Sequence, residues 1–151
     1  MYRLLLVDGQ ETASSSELRI RMLREFPGPD GLSVHFRPVR NDVLFESARA
    51  AGQLACRILR GEGIVRAQLT VEYEVPGLQQ SVMGRSSDLL FALALITAKW
   101  KLPTTAETAI AATGTLTADG SVESVEHTAG NRWEAALGRP LDQRADEPFV
   151  V

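Results

Sequence analysis

Residues 64–75 read Ile-Val-Arg-Ala-Gln-Leu-Thr-Val-Glu-Tyr-Glu-Val. Val65, Ala67, Leu69, Val71, Tyr73 and Val75 fall on one parity, and Arg66, Gln68, Thr70, Glu72 and Glu74 on the other. Side chains alternate across a strand, so this pattern predicts a strand with one buried and one wet face. Pro76-Gly77 ends it.

The flanking segments supply the helices. Asn41 to Arg60 reads as an amphipathic helix: Asn41 or Asp42 can cap it, Glu46 sits near its start and Gly61 stops it. Val43, Ser47, Ala51, Leu54 and Ile58 form the expected buried stripe, with Arg49, Gln53, Arg57 and Arg60 outward. Ala48, Ala50, Ala51 and Gly52 allow close packing on a sheet. Ser86 to Lys99 reads as a second helix, capped by Ser86 or Ser87 and favoured by Asp88 at its start. It is apolar almost all round, as a central buried helix is. Tyr2–Val7 and Ser33–Arg37 read as strands, while Glu17–Phe26 fits a helix or a strand equally. Gly9–Ser16 and residues 27–31 carry loop chemistry. Thr108–Thr117 reads as a strand, residues 118–121 as a turn, Val122–Val125 as a short strand and Thr128–Leu137 as a third helix. The order β-β-α-β-α-β-β-α predicts an α+β domain.

Composition excludes several classes. At 151 residues the chain is one ordinary domain, and 16 basic against 19 acidic residues give a net charge of −3. Residues 1–66 carry ten arginines and eight acids, and residues 67–151 six basic residues and eleven acids. A mildly acidic chain is a poor default binder of nucleic acid or anionic membranes. Cys56 is the single cysteine, so no internal disulfide or cysteine-based metal cluster is expected, and His35 and His127 lie far apart in sequence. The apolar run Leu89–Ala98 is about half of the roughly 20 residues of a membrane span. Met1–Val7 is too short for a signal peptide. A cytoplasmic protein without cofactor or metal is the expectation.

Three segments carry a family resemblance. Asp42–Ala51, Gly84-Arg85-Ser86-Ser87-Asp88 with the apolar helix before Leu102-Pro103, and Thr113–Val122 resemble, in order and close to spacing, segments of the proteolytic domain of Lon proteases. The likeness covers about residues 33–137, so the expected division is an N-terminal strand and extension (1–32), a Lon-like core (33–138) and a tail (139–151). The resemblance implies the Lon-type fold, related to the second domain of a small-subunit ribosomal protein, and a Ser-Lys dyad in which a lysine takes the serine proton.

Ser86 stands at the nucleophile position of that resemblance. Counting without gaps from Thr113-Gly114, the dyad lysine falls on Ala129, whose neighbours Thr128, Gly130, Asn131 and Arg132 include no lysine. The lysines are Lys99 and Lys101, at the far end of the serine's own helix, and about 13 residues at 1.5 Å each place them roughly 20 Å away. Arg85, Ser87 and Asp88 replace the small residues expected around the serine, and Thr115 replaces the glutamate of the family's Thr-Gly-Glu. Arginine remains protonated and is a poor base. A Gly-x-x-x-x-Gly-Lys-[Ser/Thr] loop is missing from the sequence, so any ATPase motor comes from a partner.

The expectation is therefore a catalytically inactive Lon-like domain acting as a binding or assembly module, with a protein partner such as an ATPase, or with itself in a homo-oligomer. Two alternatives stand beside it. One is a serine hydrolase in which His127 is a substitute base for Ser86, oriented by Glu126 or Asp88. The other is a nucleic-acid module using Arg49, Arg57, Arg60 and Arg66. Cys56 reads as inert core and His35 as structural. Trp100 between Lys99 and Lys101 reads as a partner anchor or a cover for its helix end.

Overall fold

The computed structural model describes residues 2–7, 13–26, 31–37, 42–63, 68–78, 86–100 and 110–123. They form an α+β arrangement: β1 (Tyr2–Val7), β2 (Ala13–Phe26), β3 (Leu32–Arg37), α1 (Asp42–Gly61), β4 (Gln68–Glu74), α2 (Asp88–Trp100), β5 (Ile110–Ala111), β6 (Thr115–Leu116) and β7 (Val122–Glu123). A five-stranded mixed sheet has the order β3-β4-β2-β1-β5, and β6 and β7 form a separate small hairpin. Parallel neighbours β3 and β4 are joined through α1.

The alternating segment behaves as its parity demands. Leu69, Val71, Tyr73 and Val75 are fully buried beneath the helices. On the opposite face, Glu72 is only 8% exposed, because the Arg21 and Arg37 guanidinium groups reach it from the strands on either side, at 2.6 and 3.0 Å. The segment 64–67 lies outside the described residues.

Glu17–Phe26, ambiguous by itself, is extended. Leu18, Ile20 and Met22 face the core and Arg19 and Arg21 the wet side, and the strand is antiparallel to both β1 and β4. A bulge between Met22 and Arg24 shifts its register. Ala13–Ser16, expected as loop, pairs with Leu4–Val7 and extends this strand, since backbone pairing tolerates serine where no helix competes. Strands β1 and β2 thus lie inside the five-stranded sheet.

In α1 the buried stripe is rotated from the expected one. Val43 and Ile58 are exposed, while Leu44, Ser47, Ala48, Ala51, Leu54, Ala55, Cys56 and Leu59 are buried. The helix is wedged between sheet and α2, so it buries two adjoining faces rather than one narrow stripe. Gly52 sits where a Cβ would stand 2.9 Å from Leu32 Cδ2, which sets the close approach of α1 to β3.

Helix α2 buries Leu90, Phe91, Ala92, Ala94 and Leu95. Phe91 meets Tyr73 and Phe36 edge-on, with centroids 5.0 and 6.1 Å apart, and the Tyr73 hydroxyl donates to the Phe91 carbonyl at 3.1 Å. Burial pushes the Tyr73 phenol above its ordinary range. The hydroxyls of Tyr2 and Thr97 bond to each other and tie α2 to β1.

The strand expected over Thr108–Thr117 is broken in two. Ile110–Ala111 runs parallel to β1, and Thr115–Leu116 pairs with Val122–Glu123. Between them the chain leaves the sheet to bond the start of α2 through Gly114. Residues 118–121 turn as expected, with Gly120 at φ 92°. The expected third helix and the tail lie outside the described residues. Among the described residues, no helix is long and apolar enough to cross a membrane.

Candidate functional site: the mouth of helix α2

Helix α2 begins at Asp88, so its cap position is Ser87: the Phe91 amide donates to the Ser87 carbonyl at 3.1 Å. Ser86 lies one residue further out and does not cap, contrary to one expectation. Its carbonyl accepts from the Gly114 amide at 2.8 Å and the Thr113 hydroxyl at 3.4 Å. The Leu89 amide returns a bond to the Gly114 carbonyl at 3.1 Å. A backbone clasp between Gly114 and the helix start thus satisfies one of the orphan donors that a capping side chain would otherwise take. The clasp is tight: a Cβ on Gly114 would stand 3.0 Å from Val122 Cγ1 and 3.3 Å from Leu89 Cδ2.

Relieved of capping, the Ser87 hydroxyl is buried without a hydrogen-bond partner among the described residues. Asp88 turns inward rather than toward an incoming chain. It is fully buried, its Oδ1 accepts from the Ser47 hydroxyl of α1, and its Oδ2 accepts from the Leu116 amide of β6 at 3.1 Å. One carboxylate thereby ties α1, α2 and the hairpin together. It does not add charge at the site entrance. Its sequence signal was Ser47, a small polar residue on an otherwise apolar helix stripe.

Ser86 itself is half-buried, and its hydrogen bonds among the described residues run through the carbonyl, not the hydroxyl. Lys99 lies at the other end of α2, bonded to Glu25 at 2.9 Å. His35 is exposed on β3, in register with Glu72. His127, Ala129, Arg85, Glu126, Lys101 and Arg66 lie outside the described residues. Cys56 is 1% exposed, and burial raises its thiol pKa. Among the described residues, no cluster of three or more histidine, cysteine or acidic side chains is placed to hold a metal ion.

The arginine face of α1 is engaged with the protein itself. Arg49 bonds Glu46 at 2.8 Å, Arg57 reaches the Ala118 carbonyl at 3.4 Å and Arg60 the Gly31 carbonyl at 3.2 Å. On the far side of the sheet, Arg19, Arg21, Arg37, Glu72 and Glu74 line a shallow depression of about 490 Å³ with their charges interleaved. Trp100 is 47% exposed at the end of α2. No family model matches the chain, and no curated protein matches it.

Proposed function

We propose that this chain is a Lon-like domain that works as a binding or assembly module, not as a peptidase. The element order supports the reading: a mixed sheet, a helix joining parallel strands, and a buried helix whose first turn follows Ser86. The observation that carries it is the commitment of the turn before α2 to structure. The Ser86 carbonyl is clasped by Gly114, Asp88 is spent on Ser47 and Leu116, and Lys99 is held by Glu25. A Ser-Lys dyad needs an amine within about 3 Å of the serine oxygen. No hydrogen bond from an amine or imidazole to Ser86 Oγ exists among the described residues. What remains is a stable scaffold with surface to offer a partner, and any ATPase motor comes from that partner.

A fluorophosphonate probe tests this on the full chain. The expected result is no labelling above that of Ser86→Ala. Labelling that is lost in Ser86→Ala and weakened in His127→Ala overturns the proposal in favour of a hydrolase with a substitute base.

A further inference from the structure

We infer that the charged face of the sheet, across from the helices, binds a small zwitterion: a free α-amino acid whose carboxylate meets Arg21 and Arg37 and whose ammonium meets Glu74. The inference goes beyond the reading above, because this face takes no part in the clasp before α2.

The site follows from parity and register. β4 lies between β2 and β3, and the alternation that buries Leu69, Val71 and Tyr73 beneath the helices sends Glu72 and Glu74 to the other face. Register sets Arg21 beside Glu72, and Arg19 and Arg37 on either side of Glu74. The side chains depart from that register. Arg37 turns back and brings Nε to 3.0 Å from Glu72 Oε2, while Arg21 Nη2 takes Oε1 at 2.6 Å. Arg19 takes Glu17 with two nitrogens, at 3.0 and 3.2 Å, and stays 3.9 Å from Glu74, beyond hydrogen-bond distance. Two guanidinium groups thus share one carboxylate, and the Glu74 carboxylate accepts no hydrogen bond among the described residues.

The occupant follows from charge complementarity. The depression of about 490 Å³ lined by these groups has positive charge in excess at Glu72, where two arginines meet one acid, and negative charge in excess at Glu74. A simple anion is attracted by the first and repelled by the second, and a simple cation the reverse. A molecule carrying both charges close together satisfies both. Glu72 and Glu74 recur about 7 Å apart along the strand. An α-amino acid sets its nitrogen about 2.5 Å from its carboxylate carbon, and a charge-assisted hydrogen bond of about 2.8 Å at each end lets it span that interval. The donors for its carboxylate are open to solvent. Each guanidinium carries five N–H groups and turns one nitrogen to Glu72, and the Arg21 and Arg37 side chains are 65% and 62% exposed. The Glu72 side chain is only 9% exposed, so the hub that aims both arginines is fixed within the sheet before any ligand arrives.

NMR titration of the isotope-labelled full chain with glycine, the smallest such zwitterion, tests the site. The expected result is a saturable shift of the Arg21 and Arg37 Nε–H signals and of the Glu74 amide. Acetate, methylammonium and inorganic phosphate, which each carry one sign of charge, should bind at least about tenfold more weakly. Arg37→Gln and Glu74→Gln should each weaken glycine by about tenfold, and Glu74→Gln should bring it down to the level of acetate. Both side chains lie on the surface, and circular dichroism verifies that each variant folds. Glycine shifts that do not saturate overturn the inference. So does acetate or phosphate binding as tight as that of glycine, or a glycine affinity that neither variant lowers. These outcomes leave the Ser86 labelling experiment unaffected, and Ser86 labelling leaves them unaffected.

Discussion

The carboxylate that joins α1, α2 and β6 makes a sharp test of how this domain is held together. Asp88→Ala leaves the Ser47 hydroxyl and the Leu116 amide buried without their acceptor. An orphaned buried polar group costs about 1–3 kcal/mol, so two together cost about 2–6 kcal/mol, with about 4 as the central value. For a domain of this size each kcal/mol lowers Tm by about 2–4 °C, which predicts a fall of roughly 8–16 °C. Asp88→Asn keeps the shape. Its carbonyl accepts from Leu116 while its amide donates to a Ser47 hydroxyl turned round to accept, so the loss stays below about 1.5 kcal/mol. Ser47→Ala costs about 1–3 kcal/mol alone, and a double-mutant cycle with Asp88→Ala shows a coupling of about 0.5–3 kcal/mol because the two changes remove one shared bond. Urea denaturation followed by circular dichroism measures all four states. If Asp88→Ala loses less than about 0.5 kcal/mol, the range of an ordinary surface change, the clamp does not exist as described.

Three further outcomes follow from single groups. Ser87→Ala should be neutral or stabilising by up to about 1 kcal/mol, against the usual loss of about 0.5–2 at a serine cap, since the buried Ser87 hydroxyl has no partner among the described residues; a clear loss on thermal melting gives it a partner. Tyr73→Phe should cost about 0.5–1.5 kcal/mol through the lost bond to the Phe91 carbonyl. The raised pKa of this phenol contributes stability that is complete below the unfolded value near 10 and lost as pH climbs above it, so ultraviolet titration should show Tyr73 ionising only as the chain unfolds. Asp119 accepts from the Thr117 hydroxyl and the Ser121 amide, which lower its pKa to about 2. A depressed carboxylate stabilises above its unfolded pKa of about 3.9 and loses that contribution as pH falls toward 2, so a carboxyl midpoint near 4 by NMR would contradict the turn geometry.

Much of this architecture was legible in the chain alone. The alternation over Leu69–Val75, the nearly uniform apolarity of Leu89–Ile96 and the stop at Gly61 each follow from the period of one element, and each element is where its period put it. Those signals are local, because a side chain's face is set by its own backbone geometry. The site was legible only by position: Ser86 was placed at the mouth of α2, but the roles of its neighbours were not.

What the tertiary structure alone decided has nonlocal causes. Glu17–Phe26 is a strand because β1 and β4 flank it on both sides, and no period inside ten residues contains that information. Thr108–Thr117 breaks because Gly114 must reach Ser86 and Leu89, residues far upstream. Asp88, which looks like surface charge at a helix start, is fully buried because Ser47 and Leu116 arrive from two other elements to hold it. Periodicity determined the buried face of β4; the exact stripe that α1 buries, the strand order and the role of each polar group at the mouth of α2 were fixed only when distant segments came together.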